Sequence, residues 1–333
     1  MKAYILDRYG KGRTLRLGDV PDPVPAPDDV LIAIHATAIN QLDGKIRDGA
    51  FKPILPYTPP FVLGHDLAGT VLAVGARVHG FKAGDEVYAR PRDGRIGTFA
   101  ERIAVHAADV ALKPATLSMA EAASVPLVGL TVWQALVETA KLQRGQKILI
   151  HAGSGGVGTL AIQLARHLGA TVATTTSAGN ADLVRSLGAD VVIDYKTQDF
   201  SELLSGYDVV LNSLDGKTLE QSLKVLKPGG KLISISGPPD PAFARTQGLN
   251  VVLRTVLRVL SAGIRRKARR AKVEYAFLFM RADGGQLGTL AKLFEDGVLR
   301  PVIDRRFPFG SLNDAIAYVD SGRVKGKVVV DVA

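Results

Sequence analysis

Hydrophobic and polar positions follow two different patterns along the chain, and the change comes near residue 118. Before it, apolar runs such as Val30–Ala38 and Gly64–Val74 lie between stretches rich in glycine and proline, without a helical period. This pattern is typical of short strands joined by turns. It predicts an antiparallel, partly barrel-shaped β domain in the first part of the chain.

Beyond residue 118, segments with strand and helix periods alternate regularly. Ser118 and Glu121 form an S-x-x-E pattern, which caps the start of a helix. Repeated βα units with short connections then predict a doubly wound parallel sheet of the α/β class. The predicted strands are Lys147–His151, Thr171–Thr175, Val191–Asp194, Asp208–Asn212 and Lys231–Ser236, and the predicted helices are Val157–Leu168, Ala181–Leu187 and Lys217–Leu226.

The end of the chain returns to the β pattern. Its closing run, KGKVVVDV at 325–332, is too short to form a domain, so we expect it to pair with the N-terminal β domain. A length of 333 residues corresponds to about two domains at roughly 150 residues each. We expect one domain at residues 1–125 with 300–333, and the other at 126–299.

The chain contains no cysteine. That absence excludes disulfides, thiolate zinc sites, iron–sulfur clusters and a cysteine nucleophile. No stretch reaches about 18 apolar residues without a charge, and the first residues lack the apolar core of a signal peptide. We therefore expect a cytoplasmic protein.

The net charge of +10 comes from one segment, because residues 241–273 hold nine basic side chains and no acidic one. Subtracting these nine from 42 leaves 33 basic residues against 32 acidic ones. Apolar residues in the same segment, at Val252, Val256, Val259 and Leu260, have the spacing of an amphipathic helix. The nine basic residues are Arg245, Arg254, Arg258, Arg265, Arg266, Lys267, Arg269, Arg270 and Lys272.

Three roles fit this basic segment. It can be a lid or packing element that turns its apolar face inward, residues 254–272 can make a weak contact with a membrane surface, or the cations can bind nucleic acid. No aromatic residue stands among the arginines, which argues against binding of single strands. We expect a lid-like insertion at about 241–273 and no nucleic acid.

A glycine-rich loop lies between the first predicted strand and helix of the parallel sheet. Gly153, Gly155 and Gly158 form a complete G-x-G-x-x-G in that position. Bare glycines let the backbone approach a pyrophosphate, and the N-terminus of the helix offers free N–H groups to it. Residues 174–177 are Thr-Thr-Thr-Ser, where an NAD-binding domain would carry an acidic residue for the ribose. The loop therefore predicts a dinucleotide site, and the missing acid favours NADP(H).

Four motifs in this order resemble a known family. They are A-x-N-x-x-D at 38–43, G-H-D-x-A-G at 64–69, G-L-T at 129–131 and H-A-G-S-G-G-V-G at 151–158. The chain resembles the medium-chain dehydrogenase/reductase superfamily, in its zinc-free branch of quinone oxidoreductases and enone (alkenal) reductases. The resemblance implies a GroES-like β domain, a Rossmann domain for NADP(H), a small hydrophobic enone or quinone substrate, and a homodimer.

The resemblance also implies site residues. Asn40 and Asp43 match the pair that lies near the nicotinamide and the substrate. Many relatives carry an active-site tyrosine at the position of Phe51, and Tyr57 is the tyrosine nearest to it in this sequence. Asn180 stands where many relatives carry a lysine for the 2′-phosphate. The implied cofactor-binding residues are Asn40, Thr131, Gly153, Gly155, Gly156, Val157, Gly158, Thr175, Ser177, Tyr195, Ser236, Gly237, Phe277, Leu278, Phe279 and Lys327.

Two positions that hold zinc in other members of the superfamily correspond to Asn40 and His65. One imidazole beside one carboxylate falls short of the three protein ligands of a catalytic zinc site, so we expect no metal. Hydride transfer to a conjugated carbonyl or a quinone needs little chemical assistance from protein side chains, because the acceptor is already electrophilic. We therefore expect that activity with NADPH. The alternatives are an NADP-dependent enzyme similar to alcohol dehydrogenase, and a non-enzymatic NADP(H)-binding sensor or scaffold.

Overall fold

A computed structural model describes residues 1–332 of the chain. It divides into two compact units. Unit 1 consists of Met1–Leu130 and the segment from Arg281 to the end of the described residues, and unit 2 consists of Thr131–Met280.

The strands are β1 Lys2–Leu6, β2 Arg16–Asp19, β3 Asp29–Ile39, β4 Phe61–Val62, β5 Asp66–Val74, β6 Glu86–Ala89, β7 Arg102–His106, β8 Val110–Leu112, β9 Lys147–Ile150, β10 Thr171–Thr176, β11 Val191–Asp194, β12 Tyr207–Asn212, β13 Leu226–Ser234, β14 Glu274–Phe277, β15 Ile303–Pro308 and β16 Lys327–Asp331.

The α-helices are α1 Gln41–Arg47, α2 Met119–Ala123, α3 Pro126–Trp133, α4 Gly156–His167, α5 Ala181–Ser186, α6 Phe200–Leu203, α7 Gly216–Val225, α8 Pro241–Thr246, α9 Val251–Leu260, α10 Ala262–Arg270, α11 Gly284–Glu295 and α12 Leu312–Asp320. A π-helical stretch, Gln134–Thr139, continues α3.

Unit 1 is built on a mostly antiparallel sheet in the order β15-β16-β3-β5-β6-β8, with β7 also paired to β3. Alternate residues of β3, such as Val30, Ile32 and Ile34, point into a core with Leu67 and Val71 of β5. The β3–β5 register shifts twice, and such irregularities bend a strand and increase its twist. The closing run pairs with β3 through β16, which confirms the predicted pairing.

Unit 2 is built on a parallel sheet in the order β11-β10-β9-β12-β13-β14. The predicted βα units are confirmed, most with ends shifted by one or two residues. Strand β13 is the exception, because it begins at Leu226 instead of Lys231. Leu226 pairs with Tyr207 ahead of a register shift, so the Pro-Gly-Gly run at 228–230, which lies between the predicted helix and the predicted strand, is part of the strand. The order reverses beside β9, and ligands of such sheets bind at the carboxyl ends of the strands there.

The segment 281–299, predicted as part of the second domain, lies in unit 1. Its helix α11 packs closely on β8, where a Cβ on Gly284 would come within 2.3 Å of the Val110 carbonyl oxygen. The Tyr88 hydroxyl donates to the Leu287 carbonyl oxygen at 2.6 Å. These contacts hold the helix to the antiparallel sheet.

The basic segment forms α8, α9 and α10, and its predicted apolar face turns outward. Val252 and Val259 are about seven-tenths exposed, at 71% and 68%. Leu257, Ile264 and Ala268 are buried in their place. The prediction that the segment packs by the face of Val252, Val256, Val259 and Leu260 was therefore wrong, since periodicity shows that an apolar face exists but not what covers it. No helix in residues 1–332 is long and apolar enough to cross a membrane.

His151, directly after β9, is a buried histidine in unit 2. Its Nδ1 lies 3.1 Å from Thr175 Oγ1 and its Nε2 lies 3.0 Å from Ser222 Oγ. The His151 ring also packs edge-on against the Phe200 ring, with centroids 4.7 Å apart. Burial lowers the pKa of His151 from 6.5 to about 4.

This pKa predicts acid-sensitive stability of unit 2. Between pH 6.5 and about 4 the unfolded chain binds a proton that the folded chain does not, so stability falls as the pH falls through this window. At pH 5 the loss relative to pH 7.5 is about 2 kcal/mol, at roughly 1.4 kcal/mol per pKa unit. His151→Gln should remove that part of the loss. Urea unfolding followed by the fluorescence of Trp133, the only tryptophan, measures it in unit 2.

The exposed His167 on α4 provides the matched control, and His167→Gln should keep the acid sensitivity of the wild-type chain. An equal acid-induced loss in wild type and His151→Gln would contradict the prediction.

Candidate functional site

The glycine loop of unit 2 lies between β9 and α4. A Cβ on Gly153 would come within 2.0 Å of Thr174 Oγ1, and one on Gly158 within 2.3 Å of the Ala152 carbonyl oxygen. These two glycines are needed for packing. At Gly155, which precedes the first residue of α4, a Cβ would meet only the Ala152 carbonyl oxygen at 3.3 Å, so this position is less crowded than the other two.

The start of α4 fits an anion. The first turn, with Gly156 and Val157, contains no acidic residue, and the preceding residue, Gly155, has no side chain that could cap its N–H groups. The N–H groups of a helix start are unsatisfied within the helix, and the helix dipole favours negative charge there. The loop and the helix start therefore suit a pyrophosphate.

Polar side chains without a carboxylate gather where β10 ends. The Ser154 hydroxyl accepts from Thr176 Oγ1 at 3.0 Å and from the Asn180 amide nitrogen at 3.1 Å. The same amide lies 3.3 Å from Ser177 Oγ. The nearest acid in register is Asp194 on β11, which is paired with Thr176 and accepts from the Lys196 N–H. We call Ser154, Thr176, Ser177 and Asn180 the β10 cluster; it suits a phosphate better than a pair of ribose hydroxyls.

Two predicted residues next to this cluster have other surroundings. Thr175 is buried, and its hydroxyl accepts from the Ala152 N–H at 3.2 Å and contacts His151. The Thr175 hydroxyl therefore contacts the glycine loop and already has its hydrogen-bond partners within unit 2. Tyr195 is 61% exposed beyond the end of β11.

The remaining predicted residues of unit 2 lie on α3 and at the ends of β13 and β14. Thr131 is buried on α3. The Ser236 N–H lies 3.4 Å from Ser234 Oγ, and Ser234 Oγ donates to the Gly237 carbonyl oxygen at 2.7 Å. The Leu278 N–H donates to the Ser234 carbonyl oxygen at 2.9 Å.

The rings of Phe277 and Phe279 both pack edge-on against Phe243, with centroids 5.1 and 5.6 Å apart. The Phe277 N–H donates to Asp240 at 3.2 Å, and Asp240 also caps α8. The segment after β14 is therefore fixed by contacts within unit 2.

Unit 1 holds a buried polar network that strand register brings together. Ala38 pairs with Asp66 across β3 and β5, and Val328 pairs with Ile39 across β16 and β3. The residues next to these pairs, Asn40 and Lys327, therefore meet Asp66. The Asn40 amide nitrogen donates to Asp66 at 2.8 Å, and the Lys327 ammonium donates to Asp66 at 3.1 Å and to the Asn40 amide oxygen.

Asp43 and His65 extend this network. One Asp43 oxygen accepts from the Asn40 N–H at 2.7 Å at the start of α1, and the other lies 2.6 Å from His65 Nδ1. None of the five side chains is more than 6% exposed. Buried charges persist only when they are paired, and here Lys327 pairs with Asp66. The Lys327 ammonium, predicted to contact the cofactor, and both polar atoms of the Asn40 amide have partners within unit 1.

The side-chain atoms of this network do not fit a zinc ion as ligands. Both oxygens of Asp66 accept hydrogen bonds, one from Lys327 and Asn40 and the other from the Leu127 N–H at 2.7 Å. The ammonium group already supplies positive charge there, and His65 Nδ1 faces Asp43. No group of three or more His, Asp or Glu side chains in residues 1–332 is placed to hold a metal ion.

Tyr57 is half-buried in unit 1 and stacks on Phe61, with centroids 5.2 Å apart. Its hydroxyl accepts from the Gly94 N–H at 3.2 Å, which leaves its own proton to donate. Burial raises the pKa of Tyr57, so the hydroxyl stays protonated at neutral pH.

Sequence reasoning missed Arg90 and the central place of Asp66. Arg90 is 1% exposed and donates to Asp93 at 2.6 Å, while its Nε and Nη1 have no partner among the described residues. The sequence gives only an arginine in a polar loop, and nothing in its spacing signals burial. For Asp66, the signal was the G-H-D motif at 64–66, where its carboxylate was considered only as a metal ligand beside His65.

Comparisons with known proteins agree with this geometry. Residues 26–115 match the family model of the alcohol dehydrogenase GroES-like domain, and residues 187–330 match that of the zinc-binding dehydrogenases. The 2-methylene-furan-3-one reductase of Solanum lycopersicum is 38% identical over 99% of this chain and 79% of its own. The chloroplastic NADPH-dependent alkenal/one oxidoreductase of Arabidopsis thaliana is 36% identical over the same shares.

A solved structure, the quinone oxidoreductase from Coxiella burnetii, matches with a TM-score of 0.88 and 31% identity over 100% of this chain and 99% of its own. The two units have the GroES-like and Rossmann folds that the resemblance implied. The chain belongs to the medium-chain dehydrogenase/reductase superfamily, in the branch that includes the quinone oxidoreductases and alkenal/enone reductases.

Proposed function

We propose that the protein is an NADPH-dependent oxidoreductase whose acceptor is a conjugated carbonyl compound or a quinone. The observation that carries the proposal is the open glycine loop at the start of α4, next to a β10 cluster without a carboxylate. The names of the Arabidopsis and Coxiella relatives support both the cofactor and the acceptor class.

The residues of unit 2 bind the cofactor. The backbone at Gly155, Gly156 and Val157 holds the pyrophosphate, and Gly153 and Gly158 let the loop lie close to β9 and β10. Ser154 and Asn180 donate to the 2′-phosphate. Bound NADPH supplies the hydride.

Tyr57 of unit 1 supplies a hydrogen bond to the acceptor. Hydride addition to an enone or quinone places negative charge on oxygen, and a donor aimed at that oxygen stabilises it. The Gly94 N–H orients the Tyr57 hydroxyl, and its raised pKa keeps the proton in place. Asn40 and Asp43 act as positioning residues through the buried network, since their polar atoms already have partners.

Competing functions differ in what they require. A zinc-dependent alcohol dehydrogenase would need three metal ligands, and Asp66 and His65 do not provide them. A binding protein without turnover would need the loop alone. We also propose a homodimer, from the family resemblance, and a cytoplasmic location. The Arabidopsis relative is named as chloroplastic, so the family does not determine the compartment.

The activity predicts a defined product. Purified protein with NADPH and a short-chain enone should oxidise the cofactor and yield the saturated ketone, identified by mass spectrometry, with NADH as the control cofactor. An ortho-quinone is tested separately. Turnover of the quinone alone would restrict the function to quinone reduction. Binding of NADPH without turnover of either acceptor would overturn the proposal in favour of a binding protein.

The β10 cluster predicts how cofactor preference can be changed. Asn180→Asp places a carboxylate in the cluster with almost no change in size, and its charge repels a 2′-phosphate. The ratio of kcat/KM for NADPH to that for NADH should fall about tenfold or more, which corresponds to ~1.4 kcal/mol. Steady-state kinetics with both cofactors measures the ratio.

Asn250→Asp is the matched control, because Asn250 caps α9 and aspartate is an equally good cap. It should leave the ratio unchanged. A ratio that also stays unchanged in Asn180→Asp would place the 2′-phosphate elsewhere.

A further inference from the structure

The insertion between β13 and β14 packs Phe243 against Phe277 and Phe279, but its basic residues have no part in the site described above. Between residues 241 and 273 it carries nine basic side chains and no acidic one, eight of them on the helices α8, α9 and α10. Such an excess of positive charge creates an electrostatic field that attracts anions.

A cavity of about 490 Å³ lies among these helices. Four arginines line it, together with Val251 and Thr255, and no carboxylate does. The four are Arg245, Arg254, Arg258 and Arg265.

The hydrogen bonds of these arginines leave their charge uncompensated. Arg254 donates to the Leu249 carbonyl oxygen, and Arg265 donates to Ser261 Oγ at 3.2 Å and to the Arg258 carbonyl oxygen at 3.0 Å. None of the four has a carboxylate partner among the described residues. Guanidinium groups bind phosphate oxygens well, because their N–H donors match the geometry of the anion. The chemistry of the cavity therefore suits a phosphate.

A second feature of α9 adjoins this cavity. Five apolar side chains on the helix are exposed, with exposed fractions from 45% to 75%. At 100° per residue they occupy one continuous half of the helix, and Leu257 faces the unit from the other half. Arg254 and Arg258 lie between that buried side and the exposed half. The exposed five, which we call the valine face, are Val251, Val252, Val256, Val259 and Leu260.

We propose that the arginine cavity and the valine face together bind the surface of a membrane rich in anionic phospholipids. Lipid headgroup phosphates enter the cavity, and the valine face lies at the boundary between headgroups and acyl chains. An apolar helix face flanked by arginines is the arrangement that binds in the plane of an anionic bilayer.

The other occupants fit only half of this surface. A free phosphate accounts for the arginines but leaves the valine face in water. In a two-fold contact with a second copy, the same patch meets itself, so the four arginines of the cavity would face the same four arginines. A nucleic acid would use the cations and gain nothing from the valine face.

Co-sedimentation of the full chain with vesicles tests the proposal independently of turnover. Vesicles of phosphatidylcholine with 30 mol% phosphatidylglycerol should bind the protein at about 0.1 M salt, and pure phosphatidylcholine should not. Raising the salt should weaken the binding. Equal binding to both vesicle types, or binding to neither, would overturn the proposal.

Variants separate the two features. Arg254→Gln with Arg258→Gln should lower the partition coefficient on anionic vesicles about 30-fold, at roughly fivefold per charge. The control Arg144→Gln with Lys217→Gln removes two exposed charges elsewhere in unit 2 and should change it much less. An equal loss of vesicle binding in both double variants would mean that only the net charge of the protein matters. It would overturn the proposal that the arginine cavity binds the headgroups.

For the valine face, Val252→Ser with Val259→Ser should weaken vesicle binding about tenfold. Val24→Ser, at an 87% exposed position in unit 1, should have no effect. All variants should show the same Trp133 unfolding curve as wild type, because the changed side chains are exposed.

Three further results would each overturn the proposal. They are binding of soluble glycerol phosphate without any binding of vesicles, a dimer in solution that Val252→Ser with Val259→Ser dissociates without change in vesicle binding, and tighter binding to an RNA or DNA oligonucleotide than to anionic vesicles at equal salt. Because none of these measurements involves NADPH, failure here and failure of the proposed oxidoreductase activity are distinguishable.

Discussion

The close approach of the turn after β9 to strand β10 is the constraint on which unit 2 depends. Neither Gly153 nor Gly158 has room for a side chain, because Thr174 and the Ala152 carbonyl oxygen fill that space. With both positions bare, α4 can begin directly beyond the carboxyl end of β9, where the strand order reverses. Its free N–H groups and the β10 cluster then lie at the edge of a parallel sheet where phosphates bind.

Unit 1 depends on a different constraint: the charged groups buried beside its antiparallel sheet must be paired with each other. Lys327 arrives from the last strand and pairs with Asp66 of β5, while Asn40 bridges them from the end of β3. Removing one partner would leave an uncompensated buried charge, which is more costly than never having had the pair. The network therefore fixes the closing strand in register and orients Asp43 and His65. Tyr57, outside it, retains a hydroxyl proton to donate.

The sequence predicted best what depends on local period. The βα units and the S-x-x-E cap at Ser118 follow from neighbours a few residues apart, and the structure confirms them. Long-range register was out of reach, so the sequence did not show that Lys327 lies beside Asn40, 287 positions away, or that the two side chains share Asp66 as a partner. The valine face of α9 was expected inside, because amphipathic spacing shows that one face is apolar and gives no information about which face the neighbouring elements cover.

The central claim is that the open backbone at Gly155 binds the pyrophosphate of NADPH. Gly155→Ala tests it most directly, because its Cβ meets only the Ala152 carbonyl oxygen at 3.3 Å, so a shift of a few tenths of an ångström lets the fold accept the methyl group while the pyrophosphate loses close approach to the backbone. Titration of NADPH should show binding weakened at least tenfold, with the Trp133 unfolding curve unchanged. Gly263→Ala on α10, where a Cβ meets nothing within 4 Å, should bind NADPH like wild type. Unchanged NADPH affinity in Gly155→Ala would contradict the account.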